Sequence, residues 1–441
     1  MSLATICLLL LASCEIDEIE NPNGPSLEAL ESGATLADLR LLASGAESII
    51  RLDYEFYIQT VSIVAREYYD LNGTDPRYTG ELLGADGAIL DNNGFLTTRT
   101  FAARYRAIRT LYLLMTAVEN TSAPISAEES NSFIGYAKTL QAYQLLLVLN
   151  HQFSNGCRLD TEDPDNLGPF VSYEDGLAGV LALLDEANEL LSRSPENFLF
   201  DLSSGFSSLA TDPGAGVTTA DFRLFNRALA ARTSLYSGNK SRALTDLSNS
   251  FLDLNGSLNK GAYHAYGAGG NDILNPLFYV PNNDLYTVHP SWLNDAEEND
   301  TRVAAKTLPL DPEEVDLPVT LDDLEGDIQV ALYGSNTEAA GIVRNEELIL
   351  IYAEANIGSN NDEAVLAINV IRNSAGLEDY SGEVTDAALL AEILNQRRYS
   401  LYGEGHRWID LRRTNNLDEV PTDRPGEIVH EEFPRPITEE G

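Results

Sequence analysis

Lysine is nearly missing from this chain. Four occur in 441 residues, at 138, 240, 260 and 306, against 69 acidic residues, and the formal net charge is −41. A surface so poor in cations offers few clustered contacts to phosphate, which argues against nucleic acid as a partner. Sparse lysine beside abundant Asp and Glu suits a protein working in concentrated salt, where screening shortens the reach of self-repulsion. Withdrawing salt is therefore expected to lower the melting temperature, and a melting curve indifferent to salt would contradict that. Cysteine is scarce as well, with Cys7, Cys14 and Cys157 forming no even-numbered disulfide framework and no CxxC pair. HExxH is absent, and the five histidines (151, 264, 289, 406 and 430) are scattered, so neither a metal nor a cofactor is implied. Residues 267–270, GAGG, lack the Lys-Ser/Thr that completes a phosphate loop. Residues 86–93, DGAILDNN, miss the spacing and closing Glu of a calcium loop. Carboxylate pairs are numerous enough that a glycosidase dyad stays open, although in so acidic a chain they arise by chance.

What is present is enough apolar residue, 44%, to bury a large core as one domain or two packed lobes. Residues 1–13, MSLATICLLLLAS, form an apolar run too short to span a membrane. Leu11-Ala12-Ser13-Cys14 fits a bacterial lipoprotein cleavage box, so 1–13 is expected to be a signal peptide, Cys14 the lipid attachment point, and the acidic 14–25 a tether. From 26 to 251 the pattern is mainly helical. Apolar residues recur at three- and four-residue spacing over 26–71 (Ile49, Leu52 and Phe56 among them), 99–119, 127–150 and 173–193. Segments 221–251 and 345–375 each read as a helix pair, with Ala231 and Ala243 in one, and Ala353 and Ala364 in the other, at the small-residue positions where helices approach closely. Two stretches interrupt the helices. Residues 72–98 are rich in Gly, Asp and Asn, and 252–343, opening the region 252–441, is a loop-rich insertion with short strands. Loops this long in a compact chain are usually functional.

One stretch stands apart. Residues 396–413, QRRYSLYGEGHRWIDLRR, gather Arg397, Arg398, Arg407, Arg412 and Arg413 around Glu404 and Asp410. Helical spacing puts Arg397 on or beside a buried face, and guanidiniums near a core need carboxylate partners. The reading is a structural latch of Arg397, Glu404, Arg407 and Asp410 that joins the last helix to the C-terminal segment. A phosphate or sugar-acid site is the alternative.

This stretch resembles the C-terminal signature of the SusD/RagB family of nutrient-binding outer-membrane lipoproteins. Arg397, Arg398, Leu401, Glu404, Gly405, Arg407, Asp410, Leu411 and Arg413 match it, while Gln396 and Ser400 stand where the family usually has Glu. Residues 346–376 resemble the family's core block through Ala353, Glu354, Ala355, Asn369, Ile371, Arg372 and Gly376, and 299–302, NDTR, resemble the turn before it. The resemblance implies a mostly α fold, a SusD-like superhelix in which tetratricopeptide-like helix pairs form a curved scaffold carrying a loop-rich ligand face. It implies a lipid-anchored protein of the outer-membrane surface that captures oligosaccharides, or less often peptides. Such a protein passes its ligand to a SusC-like TonB-dependent β-barrel transporter and catalyses no reaction. Sugar rings bind through their C–H faces to flat aromatic surfaces, with amides and Arg collecting hydroxyls. Candidates in the first excursion are therefore Arg77, Tyr78, Asn92, Asn93 and Phe95. In the second they are Tyr279, Tyr286 and Trp292, with Tyr263, Tyr266 and His289 behind them. The rival readings are a tetratricopeptide-type scaffold that binds proteins only and a helical-scaffold glycosidase.

Overall fold

The structure, a computed structural model, describes residues 33–439 apart from 213, 215 and 271. The expected signal peptide, Cys14 and the tether lie outside the described residues. Helices α1 (Leu36–Ile49) and α2 (Tyr54–Val64) lead into strand β1 (Tyr68–Asp70). After the first excursion come α3 (Phe95–Glu119) and α4 (Ala127–Gln152), the short ribbon of β2 (Cys157–Arg158) and β3 (Phe170–Val171), then α5 (Tyr173–Ser192), α6 (Thr219–Tyr236) and α7 (Lys240–Ser248). The second excursion carries β4 (Gly261–His264), β5 (Tyr286–Val288), α8 (Pro290–Asn294), α9 (Thr301–Lys306) and β6 (Thr307–Pro309). It continues through β7 (Val319–Leu321), β8 (Leu324–Gly326), β9 (Ile328–Val330) and β10 (Ala340–Arg344). Helices α10 (Asn345–Asn356), α11 (Asn361–Ser374), α12 (Asp386–Ser400) and α13 (Arg407–Arg413) complete the chain.

Local chemistry fixes where the helices begin. Thr35 with Asp38, Ser126 with Glu129 and Thr218 with Asp221 form capping boxes that satisfy orphan N–H groups at the starts of α1, α4 and α6. The segment 26–71, expected as helix, contains α1, α2 and β1, and α3 starts at Phe95, directly after Gly94, rather than at 99.

The helices form one continuous layer in which α3, α4, α5, α6 and α7 each pack on the next. Helix α7 packs on α10, and α10 on α11 and α12. Ala231, Ala243, Ala353 and Ala364 are all fully buried at these crossings. Helices α4 and α5 approach through Gly135 and Gly176; a Cβ on either would lie within 2.7 Å of a leucine side chain of the other helix. One apolar core draws on residues from Ala34 to Phe433, and a smaller one gathers α10, α11 and α12.

Over this layer lies a four-stranded sheet in the order β1-β5-β9-β6, with β10 paired to β4 and β7 to β8. The pairing of β1 with β5, Tyr69 opposite Thr287, joins the root of the first excursion to the middle of the second. Leu285 donates its N–H to Asn72 Oδ1 (2.8 Å), and Thr79 donates its hydroxyl to Asp322 (2.6 Å), extending the seam. Both excursions thus reach one face of the helical layer.

Candidate functional site

The seam gathers an aromatic group in which Tyr78 is buried and Phe95 and Phe56 are half-buried. The Phe95 ring, on the first turn of α3, meets Tyr78 (centroids 6.1 Å apart) and Phe56 of α2 (5.9 Å, nearly perpendicular). The Arg77 guanidinium lies 4.2 Å over Phe95 and that of Arg99 lies 4.0 Å over Phe56. Each arginine is steadied from outside, Arg77 by Asp75 (2.7 Å) and Arg99 by Asp53 (2.6 Å). Next to this group Tyr279 and Tyr286 stack at 3.9 Å, their planes 17° apart, with Tyr68 edge-on to both. Gln59 donates to the Tyr286 hydroxyl (3.1 Å). Burial pushes the Tyr78 phenol up to about 12 and raises those of Tyr279 and Tyr286 further, so all three remain neutral, hydrogen-bonding groups at physiological pH.

Arg77, Tyr78 and Phe95 therefore come together, with Tyr279 and Tyr286 beside them. Asn93 is exposed and donates its N–H to Asp91 (2.9 Å), while the Asn92 carbonyl accepts from Ile437 N–H (3.0 Å). Trp292 is elsewhere. It is 1% exposed, packs on Tyr402 (4.2 Å) and Tyr399 (5.0 Å), and donates its indole N–H to Arg398 O. No face is left for a sugar, so its placement among the ligand residues is corrected to that of a core anchor for α8. His289 is buried too; its Nδ1 accepts from Ser291 N–H and its Nε2 faces Asp423 (3.1 Å), which makes it the N-cap of α8. Tyr266 is buried, and Tyr263 is half-buried with its hydroxyl on Asn259 O. Phe56 and Arg99 had no sequence signal, since Phe56 recurs in phase with the buried stripe of its helix.

The arginine-rich stretch is internal. Arg397 Nε donates to Asp410 Oδ2 at 2.6 Å, both side chains no more than 2% exposed. Arg413 bridges the other Asp410 oxygen (2.8 Å) and Glu354 of α10 (2.7 Å). Burial alone would raise the Asp410 carboxyl; the Arg397 and Arg413 guanidiniums override it and hold it down to about 2. Two members expected in this latch sit differently. Glu404 pairs with Arg344 of β10 (2.5 Å) rather than with an arginine of its own stretch. Among the described residues, Arg407 has its one ion pair with Glu419, at 4.0 Å, and none with Asp410. Between α12 and α13 the chain turns at Gly403 and Gly405, at φ of +69° and +78°. There Gly403 donates its N–H to the buried Glu67 carboxylate (3.1 Å), and Tyr402 donates its hydroxyl to Glu67 O (3.1 Å). Among the described residues no helix is long and apolar enough to cross a membrane.

A helical layer bearing a small sheet and two excursions is the fold of SusD superfamily proteins. A SusD superfamily protein from Bacteroides vulgatus is 17% identical, with 92% of this chain and 96% of that chain covered and a TM-score of 0.66. Surface glycan-binding protein A from Bacteroides thetaiotaomicron is 18% identical over 92% and 96% of the two chains (TM-score 0.66). A structure of that protein in complex with laminarihexaose matches at 16% identity over 89% and 93% (TM-score 0.64). No curated protein matches the sequence. Residues 331–432, which contain β10, the helices α10 to α13 and the whole arginine-rich stretch, match the model of the SusD family.

Proposed function

We propose that this chain is a cell-surface glycan-binding lipoprotein, anchored in the outer membrane through Cys14, that captures oligosaccharide without chemical change and delivers it to a SusC-like TonB-dependent transporter. The observation that carries the reading is the joining of the two excursions through β1 and β5, with the Tyr78–Phe95–Phe56 group next to the Tyr279–Tyr286 stack, on a scaffold of the SusD fold. A laminarin binding SusD-like protein, 16% identical with a TM-score of 0.64, and the laminarihexaose complex above support the choice of ligand class. Flat rings and guanidiniums suit pyranose faces and hydroxyls, with Asn92 and Asn93 at the rim of the same excursion.

Calorimetric titration with laminarihexaose and a panel of neutral plant and marine oligosaccharides tests this reading. Phe95→Ala is expected to weaken the bound member of the panel by about 2 kcal/mol, roughly 30-fold, with the fold intact. Binding of peptides alone, with no glycan bound, would move the ligand to another class and leave the delivery role standing. Released product would make the protein an enzyme. Failure of a β-barrel partner to co-purify from membranes at native expression would remove the transporter.

A further inference from the structure

A concavity opens at the end of α1 and the turn after it. It is a cleft of about 590 Å³, walled by Glu47, Ser48 and Arg51 of α1 and the turn after it, by Asp201 and by Tyr263 and Asp272. These walls come from three separate parts of the chain and are tied together. Arg51 donates to Ala265 O and to Asp272 Oδ1 (2.6 Å), fixing the loop after β4 against α1. Glu47 accepts the Ser203 N–H (3.1 Å), fixing 201–203 against the same helix. The GAGG segment forms part of the rim, and built side chains on Gly269 and Gly270 would meet nothing within 4 Å.

The lining selects its ligand by exclusion. Glu47, Asp201 and Asp272 repel an anion, and Arg51, the one cation among the residues lining the cleft, is already spent on Asp272. A metal ion finds no cluster of three or more suitable ligands anywhere among the described residues. An apolar molecule would strip water from serine hydroxyls and carboxylates and return nothing. An uncharged polyhydroxylated molecule satisfies all of them, since each carboxylate accepts hydroxyls and Ser44 and Ser48 both donate and accept. Burial pushes the Glu47 carboxyl above its ordinary range, which further suits it to a neutral partner. The volume lies within the range of ligand clefts, about 300–1,000 Å³. Position adds to this. Arg51 lines the cleft, and Asp53, two residues on, holds Arg99 over Phe56, so the α1–α2 turn serves both places.

We propose that this cleft is a second carbohydrate site, taking uncharged sugar units of a glycan through Glu47, Asp201 and Ser48. The inference rests on the glycan-binding reading above and adds a site to it. The test is calorimetry on the whole protein with laminarihexaose and the neutral gluco-, xylo- and mannohexaoses. Variants are Ser48→Trp, which fills the cleft mouth from an exposed helix position, Asp201→Ala and Asp201→Asn, and Phe95→Ala for comparison. For the hexasaccharide that binds the natural protein, Ser48→Trp and Asp201→Ala are expected to lower affinity at least about fivefold at unchanged melting temperature, with Asp201→Asn in between. Unchanged affinity in both cleft variants, with loss in Phe95→Ala, overturns the second site alone. If none of the four hexasaccharides binds the natural protein, the glycan reading fails and the cleft falls with it.

Discussion

Replacing Asp410 by alanine is expected to cost about 3–5 kcal/mol of unfolding free energy, because it leaves Arg397 and Arg413 buried without their shared carboxylate. Arg397 is already under-served, as its two Nη atoms have no hydrogen-bond partner among the described residues and Asp410 receives its Nε alone. Denaturant unfolding of natural protein and variant measures the loss. Arg407→Ala is expected to cost clearly less, since among the described residues its one ion pair, with Glu419, is 4.0 Å long. The pH dependence has a definite sign. A carboxyl whose folded pKa is depressed from 3.8 to about 2 contributes stability that is complete above 3.8 and lost as pH falls through 2. The gap between natural protein and Asp410→Asn should therefore narrow between about pH 4 and pH 2. Ligand affinity of the folded variant should be unchanged, because the pair lies inside the scaffold. Equal stability at neutral pH with lost binding would mean that a binding site had been mistaken for a latch.

The second large effect is expected at Glu347. Its carboxylate takes Arg232 Nε at 2.6 Å while Arg232 Nη2 donates to Ile342 O (2.6 Å), with both side chains at most 4% exposed. Burial raises the Glu347 carboxyl, but Arg232 more than offsets this and leaves it lowered. The pair ties α6 to α10 and β10, three elements from different halves of the chain. Glu347→Ala should cost about 3–5 kcal/mol by stranding a buried guanidinium. The double variant Arg232→Met/Glu347→Leu should recover much of that, since apolar side chains of similar volume carry no desolvation penalty. A double variant as unstable as Glu347→Ala alone would place the energy in packing rather than in charge.

These two sites show which parts of the molecule can be read from its sequence. Helices declare themselves through local spacing, and Ala231, Ala243, Ala353 and Ala364 were legible as contact points because small residues at helix crossings have a single physical use. The Arg397–Asp410 pair was legible because its partners lie one turn of chain apart, across two glycines. The Glu404–Arg344 and Arg413–Glu354 pairs were not, since a local stretch contains several nearer charges and nothing in spacing favours a partner about sixty residues away. Trp292 failed for a related reason. Its neighbours are polar and turn-forming, while the rings that enclose it, Tyr399 and Tyr402, belong to the end of α12 and the turn after it. Both excursions could be nominated by composition, but their union through β1 and β5 is a long-range pairing that only the fold supplies.

The contact between Glu67 and Gly403 ties together two distant parts of the chain. Glu67 precedes β1, the strand from which the first excursion and its aromatic rings depart, yet its carboxylate and carbonyl are met by Gly403 and Tyr402, more than three hundred residues later. The pairing of β1 with β5 is likewise a contact between distant parts of the chain. Both contacts close very long loops, so on refolding from denaturant the root of the first excursion is expected to become ordered after the helices.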